Sequence, residues 1–159
     1  MSLYVIVRLR GTVDIPPDIE KTLYMLRLKR KYTASLYHSS LPGLNGMLKV
    51  VESWATWGEI DKSVLVELIR RRGKLIGDKP ITDEWVRETL KLNSLDEMAE
   101  KLISGEIYYH KLEPYGVKPF FRLHPPRGGF KRSTKKIYGS GGELGYRGHA
   151  INDLILRMI

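Results

Sequence analysis

The densest chemistry in this chain lies between Lys118 and Lys136. Seven cations stand there without an intervening acid: Lys118, Arg122, Arg127, Lys131, Arg132, Lys135 and Lys136, interleaved with Phe120, Phe121 and Phe130. Cations neutralise phosphates, aromatic and guanidinium planes stack on unpaired bases, and glycine lets a backbone come close to a polyanion. Arg127-Gly128-Gly129-Phe130-Lys131-Arg132 combines all three. The plain alternative is a solvated basic loop. Like charges in so long a run repel one another, however, and no neighbouring acid in the sequence offsets them. A second patch is Arg27, Lys29, Arg30 and Lys31, followed by Tyr32, in a stretch without acid from Lys21 to Lys49. A helix dipole favours cations at its C-terminus by about 0.3–1 kcal/mol, which accounts for two of the four. The others call for an anionic surface nearby.

Other residue types argue against catalysis. There is no cysteine, which removes disulfides, thiolate zinc sites and cysteine nucleophiles, and fits a reducing compartment. His38, His110, His124 and His149 are scattered with no metal-ligand spacing, although His38 and His124 border the basic stretches. Gly139-Ser140-Gly141-Gly142 lacks the Lys-Ser/Thr that completes a P-loop and reads as a flexible turn. Asp83-Glu84 and Asp96-Glu97 fall in helix first turns, where capping explains them. Arg70-Arg71-Arg72 ends a helix among acids and reads as a paired surface. Neither an enzyme, a cofactor nor a small-molecule substrate is expected.

These residues need elements to hold them. Leu3–Leu9 is rich in β-branched and aromatic residues and reads as a central strand stopped by Gly11. Pro16-Pro17-Asp18 opens a helix carrying Ile19, Leu23 and Leu26, and Tyr32–Tyr37 suits a second strand. After the Leu41-Pro42-Gly43 turn, Leu44, Met47, Leu48 and Val51 form a helical stripe, and Trp54–Trp57 is a third strand. Residues 1–60 thus read as β-α-β-α-β, with both helices on one sheet face and the other face open. Residues 61–113 read as a helical extension, clearest at the Ser94–Glu97 capping box closed by Gly105. Residues 114–159 read as an extended basic arm followed by a short helix with Ile151, Leu154, Ile155 and Met158 on one stripe.

The charge follows the same division. Among 159 residues, 27 Lys and Arg against 18 Asp and Glu leave +9. Residues 1–49 carry 8 basic and 3 acidic side chains, residues 50–113 carry 10 and 13, and residues 114–159 carry 9 and 2. Basic ends around an acidic middle favour a polyanionic partner, nucleic acid first. No apolar run approaches the ~20 residues of a membrane span, and neither a signal peptide nor a membrane partner is expected.

Several stretches together resemble one family. They are Leu26–Lys31, Ser40–Lys49, Trp57-Gly58, Lys62-Ser63-Val64 leading to Glu67-Leu68-Ile69 and Arg72-Gly73, Pro126–Gly129, and Ile151–Ile155. In this order they resemble the long archaeal form of the large-subunit ribosomal protein thirty family, whose eukaryotic counterpart is large-subunit protein seven. The resemblance implies an α+β fold: a ferredoxin-like β-α-β-α-β core with an antiparallel three-stranded sheet, a helical extension, and a basic C-terminal arm lying on RNA. It implies a structural, cytoplasmic role in binding large-subunit rRNA near 5S rRNA, beside neighbouring ribosomal proteins, in support of assembly and translation. Carried onto this chain, RNA contacts are implied at Arg27, Lys29, Arg30 and Lys31, at Pro42, Gly43 and Asn45, and from Arg127, Gly128 and Gly129 through Lys136. With the flanking Tyr32, His38, Lys118, Arg122 and Phe130, these make up the candidate site. Gly139–Gly145 is looser than the family pattern and is assigned no contact. Two readings compete: an RNA-processing enzyme, which would need a carboxylate or metal cluster beside the cations, and a protein-binding module docking through the acidic middle.

Overall fold

A computed structural model describes residues 2–159. It opens with strand β1 (Leu3–Arg8), helix α1 (Pro17–Met25), strand β2 (Thr33–His38), helix α2 (Leu44–Val51) and strand β3 (Ala55–Glu59). β1 is central, antiparallel to β2 on one side (Val5 opposite Leu36) and to β3 on the other (Val5 opposite Gly58). The β-α-β-α-β expectation holds for these elements.

The sheet does not stop at three strands. Its order is β4-β2-β1-β3-β6-β5, with β4 (Phe121–Arg122), β5 (Ser133–Ile137) and β6 (Gly142–Tyr146) all drawn from the segment expected to be an extended arm. β4 adds antiparallel to β2, and β6 adds parallel to β3 through Thr56 opposite Gly145. β5 borders β6 in shifted register. The reason is backbone hydrogen bonding. A three-stranded sheet leaves two edges of unpaired N–H and C=O groups, and this chain supplies strands for both, so no basic arm hangs free.

The expectation of one open sheet face is also corrected. Leu3, Val5 and Val7 alternate along β1 into one core, which α3 (Lys62–Arg72), α5 (Leu95–Ser104) and α6 (Ile151–Met158) complete with Leu65, Leu68, Met98, Leu102, Ile151 and Leu154. Ile6 points the other way, with Tyr37 and Trp57, against Leu23 of α1, Leu26 just after it, and Leu44 and Leu48 of α2. Successive side chains of a strand point to opposite faces, so the continuous apolar run Val5-Ile6-Val7 makes both faces apolar, and both are covered. Between α3 and α5, a short helix α4 (Asp83–Trp85), capped by Thr82 Oγ1 accepting from Trp85 N at 3.2 Å, widens into a π turn over Val86–Leu90. Tyr109–Tyr115 forms 3₁₀ turns before β4.

Two glycines matter to this layout. A Cβ on Gly58 would lie 1.9 Å from the Gly148 carbonyl oxygen, so the close approach of the turn before α6 to β3 requires glycine there. Gly43, at φ +79°, starts α2 in a left-handed conformation that side chains resist.

Candidate nucleic-acid interface

The two basic stretches meet at one end of the sheet. Thr33, directly after the Arg27–Tyr32 segment, is paired with Arg122, and Ala34 with Phe121. The Tyr32 carbonyl accepts from Leu123 N at 3.0 Å. β4 exists because Phe121, fully buried and stacked on Tyr109 at 5.0 Å, anchors it from the core side. Arg122, next in the strand, is turned to the surface. The resulting groove, about 470 Å³, is lined by Arg27, Lys29, Arg30, Phe120 and Arg122 together with Glu113.

Lys31 and Lys135 share a second recess with Arg10 and one acid, Asp14, which brings the start of β5 beside the Arg27–Tyr32 segment. A third recess joins Arg72 and Lys74 to Lys118 and Arg122. Arg10, Arg72 and Lys74 were not among the expected residues. Only the fold brings them here; the cationic end of α3 was a sequence signal for Arg72 alone. Of the triplet there, Arg70 and Arg71 are paired with Glu67 at 3.5 and 3.1 Å as expected, which leaves Arg72 for the third recess.

Charge compensation is sparse. Arg27 reaches Glu113 at 3.8 Å and Lys118 reaches Asp78 at 2.5 Å. The second pair corrects the expectation that no acid neutralises the run. The other six cations between 118 and 136 have no carboxylate within 4.0 Å among the described residues, nor do Lys29, Arg30 and Lys31. Lys29, Arg30, Lys31, Arg122, Arg127, Lys131, Arg132, Lys135 and Lys136 are all exposed.

Several expected residues serve the protein itself. His38 is only 2% exposed, with Nδ1 2.6 Å from Ser40 Oγ and Nε2 3.0 Å from the Ile103 carbonyl, so its ring joins β2 to α5 and does not reach the surface. Phe130 packs on Tyr32 at 6.2 Å and against the core, which orients the loop. Lys31 stands over the Tyr32 ring at 5.0 Å. Arg127 donates from Nη2 to the Leu156 carbonyl at 2.9 Å, and Arg157 donates to the Gly129 carbonyl at 3.0 Å. These bonds fasten the Gly128-Gly129 loop to the last turn of α6, where carbonyls lack helical partners.

Pro42, Gly43 and Asn45 are exposed but lie elsewhere. They follow the C-terminal end of β2, while Arg27–Tyr32 precede its start, which separates the two sets by roughly 20 Å of strand. Near the β5–β6 edge, Glu143 and Arg147 form a buried pair at 2.9 Å. Arg147 Nε also donates to Thr56 Oγ1 at 2.8 Å, and Glu143 Oε2 accepts from Arg132 N at 3.1 Å. Burial lowers the Arg147 pKa, and the Glu143 carboxylate opposes that shift. The Gly139–Gly141 segment forms the turn between β5 and β6.

No group of three or more His, Asp or Glu suited to a metal occurs among the described residues, and none of their helices is long and apolar enough to cross a membrane. A face of exposed cations with few acids can hold a polyanion by shape and charge.

Comparison with known proteins shows the family. A family model described as Ribosomal protein L30p/L7e matches residues 4–54, which span β1 through α2. A protein of Aeropyrum pernix named large ribosomal subunit protein uL30 is 66% identical over 159 residues, covering all of both chains. Proteins of the same name from Hyperthermus butylicus and Ignicoccus hospitalis are 57% and 56% identical, covering 100% and 99% of this chain and 91% and 98% of theirs. The resemblance seen in the residues is therefore one of descent along the whole length, and the chain belongs to the Ribosomal protein L30p/L7e family.

Proposed function

We propose that the protein is a structural constituent of the large ribosomal subunit, not an enzyme, and that it holds rRNA against the basic end of its sheet. The observation that carries this reading is the β2–β4 pairing, which joins two distant cationic segments into one face with few carboxylates. In this reading the β-α-β-α-β unit of residues 1–60 forms the body of the RNA-binding core, residues 61–113 back it, and residues 114–159 complete its surface. Lys29, Arg30, Lys31, Arg122, Lys131, Arg132, Lys135 and Lys136 contact phosphates, with Arg27 and Lys118 beside them. Tyr32, Phe130, Gly128 and Gly129 shape the surface. The Pro42–Asn45 turn touches a separate RNA segment at the far end of β2, and the 5S rRNA lies near the protein in the particle. Neighbouring ribosomal proteins meet the remaining faces. The site of action is the cytoplasmic ribosome.

The test is salt dependence with a large-subunit rRNA fragment. Neutralising about six phosphates gives a slope of log K against log salt steeper than about −4. A slope near −1 would remove the electrostatic basis. An RNA-processing activity lacks support, because among the described residues the carboxylates beside the cations stand singly, as Glu113, Asp14 and Asp78, with no group of three suited to a metal. Specific cleavage of labelled RNA in Mg²⁺ would reopen it.

A further inference from the structure

We propose that the groove between the α1–β2 corner and β4 takes one unpaired RNA nucleotide, its base against the Tyr24 and Phe120 rings and its phosphates on Arg30 and Arg122. This rests on the RNA reading above and adds the kind of RNA element that the face accepts. A surface for duplex RNA needs cations matched to two phosphate ribbons across a wide, shallow groove. This groove is instead a recess of about 470 Å³, within the range that encloses a small organic group.

Its walls also carry what phosphate binding alone does not use. Tyr24 is 49% exposed, although α1 could have buried an apolar residue or presented a charged one. Phe120 is half-buried, while Phe121 beside it is enclosed in the core and Phe130, also half-buried, packs on Tyr32 away from this groove. Of the three phenylalanines in the basic segment, only Phe120 lines this groove. Each ring is paired with a cation, Lys29 at 5.6 Å from the Tyr24 centroid and Arg122 at 6.0 Å from that of Phe120. Rings with cations beside them are the means by which proteins hold splayed-out bases.

Glu113 gives the groove a preference. A carboxylate among four cations weakens phosphate binding, so its presence there is a disadvantage unless a donor meets it. It is half exposed and paired only loosely with Arg27, at 3.8 Å, which leaves acceptor positions free. The Watson–Crick edge of guanine offers adjacent N–H groups that match a carboxylate, whereas uracil offers a single N–H. The groove therefore favours guanine over uracil.

The experiment uses the full chain and three RNA probes: a uridine hexamer with one central guanosine, the same hexamer with an abasic ribose at that position, and a fully paired duplex. The guanosine hexamer is expected to bind about tenfold more tightly than the abasic one, in keeping with one stacked base. Phe120→Leu and Tyr24→Leu together should reduce that ratio below twofold and leave duplex binding unchanged. Glu113→Gln should reduce the preference for guanosine over an all-uridine hexamer. If Phe120→Leu unfolds the protein, the exposed Tyr24→Leu alone carries the test, with a smaller reduction. Equal binding of the guanosine and abasic hexamers, or a ratio unmoved by the ring variants, overturns the proposal. Loss of duplex binding with a flat salt dependence in the wild-type chain would instead strike at the RNA reading itself.

Discussion

Thr33 and Arg122 face each other across the antiparallel pairing of β2 and β4. One precedes and one follows the helical middle of the chain, so this register joins two separate cationic segments. The joint is held from inside by Phe121, which is opposite Ala34 and stacked on Tyr109. Truncating Phe121 to alanine is expected to cost about 3–5 kcal/mol, the usual range for a buried aromatic. Because β4 is two residues long, the variant should lose RNA affinity along with stability. A urea titration and a binding isotherm on the same preparation check both.

The exposed cations of the β5 region should behave differently. Replacing Lys131, Arg132, Lys135 and Lys136 with alanine removes no carboxylate partner among the described residues. The thermal midpoint is expected to stay nearly constant, and the salt slope of RNA binding to fall by about 0.7–0.9 per lost phosphate contact. Arg127 is kept out of this set because its guanidinium holds the Leu156 carbonyl. Arg127→Ala alone should cost about 1 kcal/mol of stability. Calorimetry separates the two classes.

The Glu143–Arg147 pair is a structural counterpart to these free charges. Both side chains are almost fully buried, and their bonds to Thr56 and to the Arg132 main chain tie β6 to β3 and β5. Arg147→Met leaves a buried carboxylate unpaired and is expected to cost about 3–5 kcal/mol, a fall in thermal midpoint on the order of 10 °C. Adding Glu143→Leu should restore much of the loss, because replacing both members of a buried pair is tolerated better than removing one.

Stability should also respond to acid through His110. Burial, followed by the charges of Arg27 and Lys111, holds its pKa below the ordinary 6.5. Tyr37 and Tyr108 face the ring at 5.2 and 5.8 Å, and Glu113 lines the same recess without offsetting the shift. As pH falls through 6.5 the unfolded chain takes up the proton first, so stability declines with acid until the folded form is protonated too. His110→Asn should flatten that part of the curve of thermal midpoint against pH. An equal slope in the variant would assign the effect to other groups.

The sequence disclosed some of this and hid the rest for physical reasons. β1 through β3 with α1 and α2 were legible because Val5, Ile6 and Val7 and the Leu44–Val51 stripe carry local periodicity. The Ser94 cap and Gly105 end of α5 were legible because capping is local, and Ser94 Oγ does accept from Glu97 N. β5 and β6 were not. Ser-Thr-Lys-Lys-Ile and Gly-Glu-Leu-Gly-Tyr have little strand character alone, and only the pairing of β6 with β3 and of β5 with β6 makes them strands. Covered by α3, α5 and α6, the second sheet face escaped prediction because it depends on long-range packing. At the candidate site, charge located the basic segments, but the burial of His38 and the arrival of Arg72 and Lys74 required the fold.

The most direct test is the position of the β2–β4 end of the sheet in an assembled large subunit. Arg30, Arg122 and Lys131–Lys136 are expected within hydrogen-bond or ion-pair distance of rRNA phosphates. An assembled particle that presented this face to open solvent, with the RNA on other surfaces of the protein, would contradict an RNA-binding role for these cations.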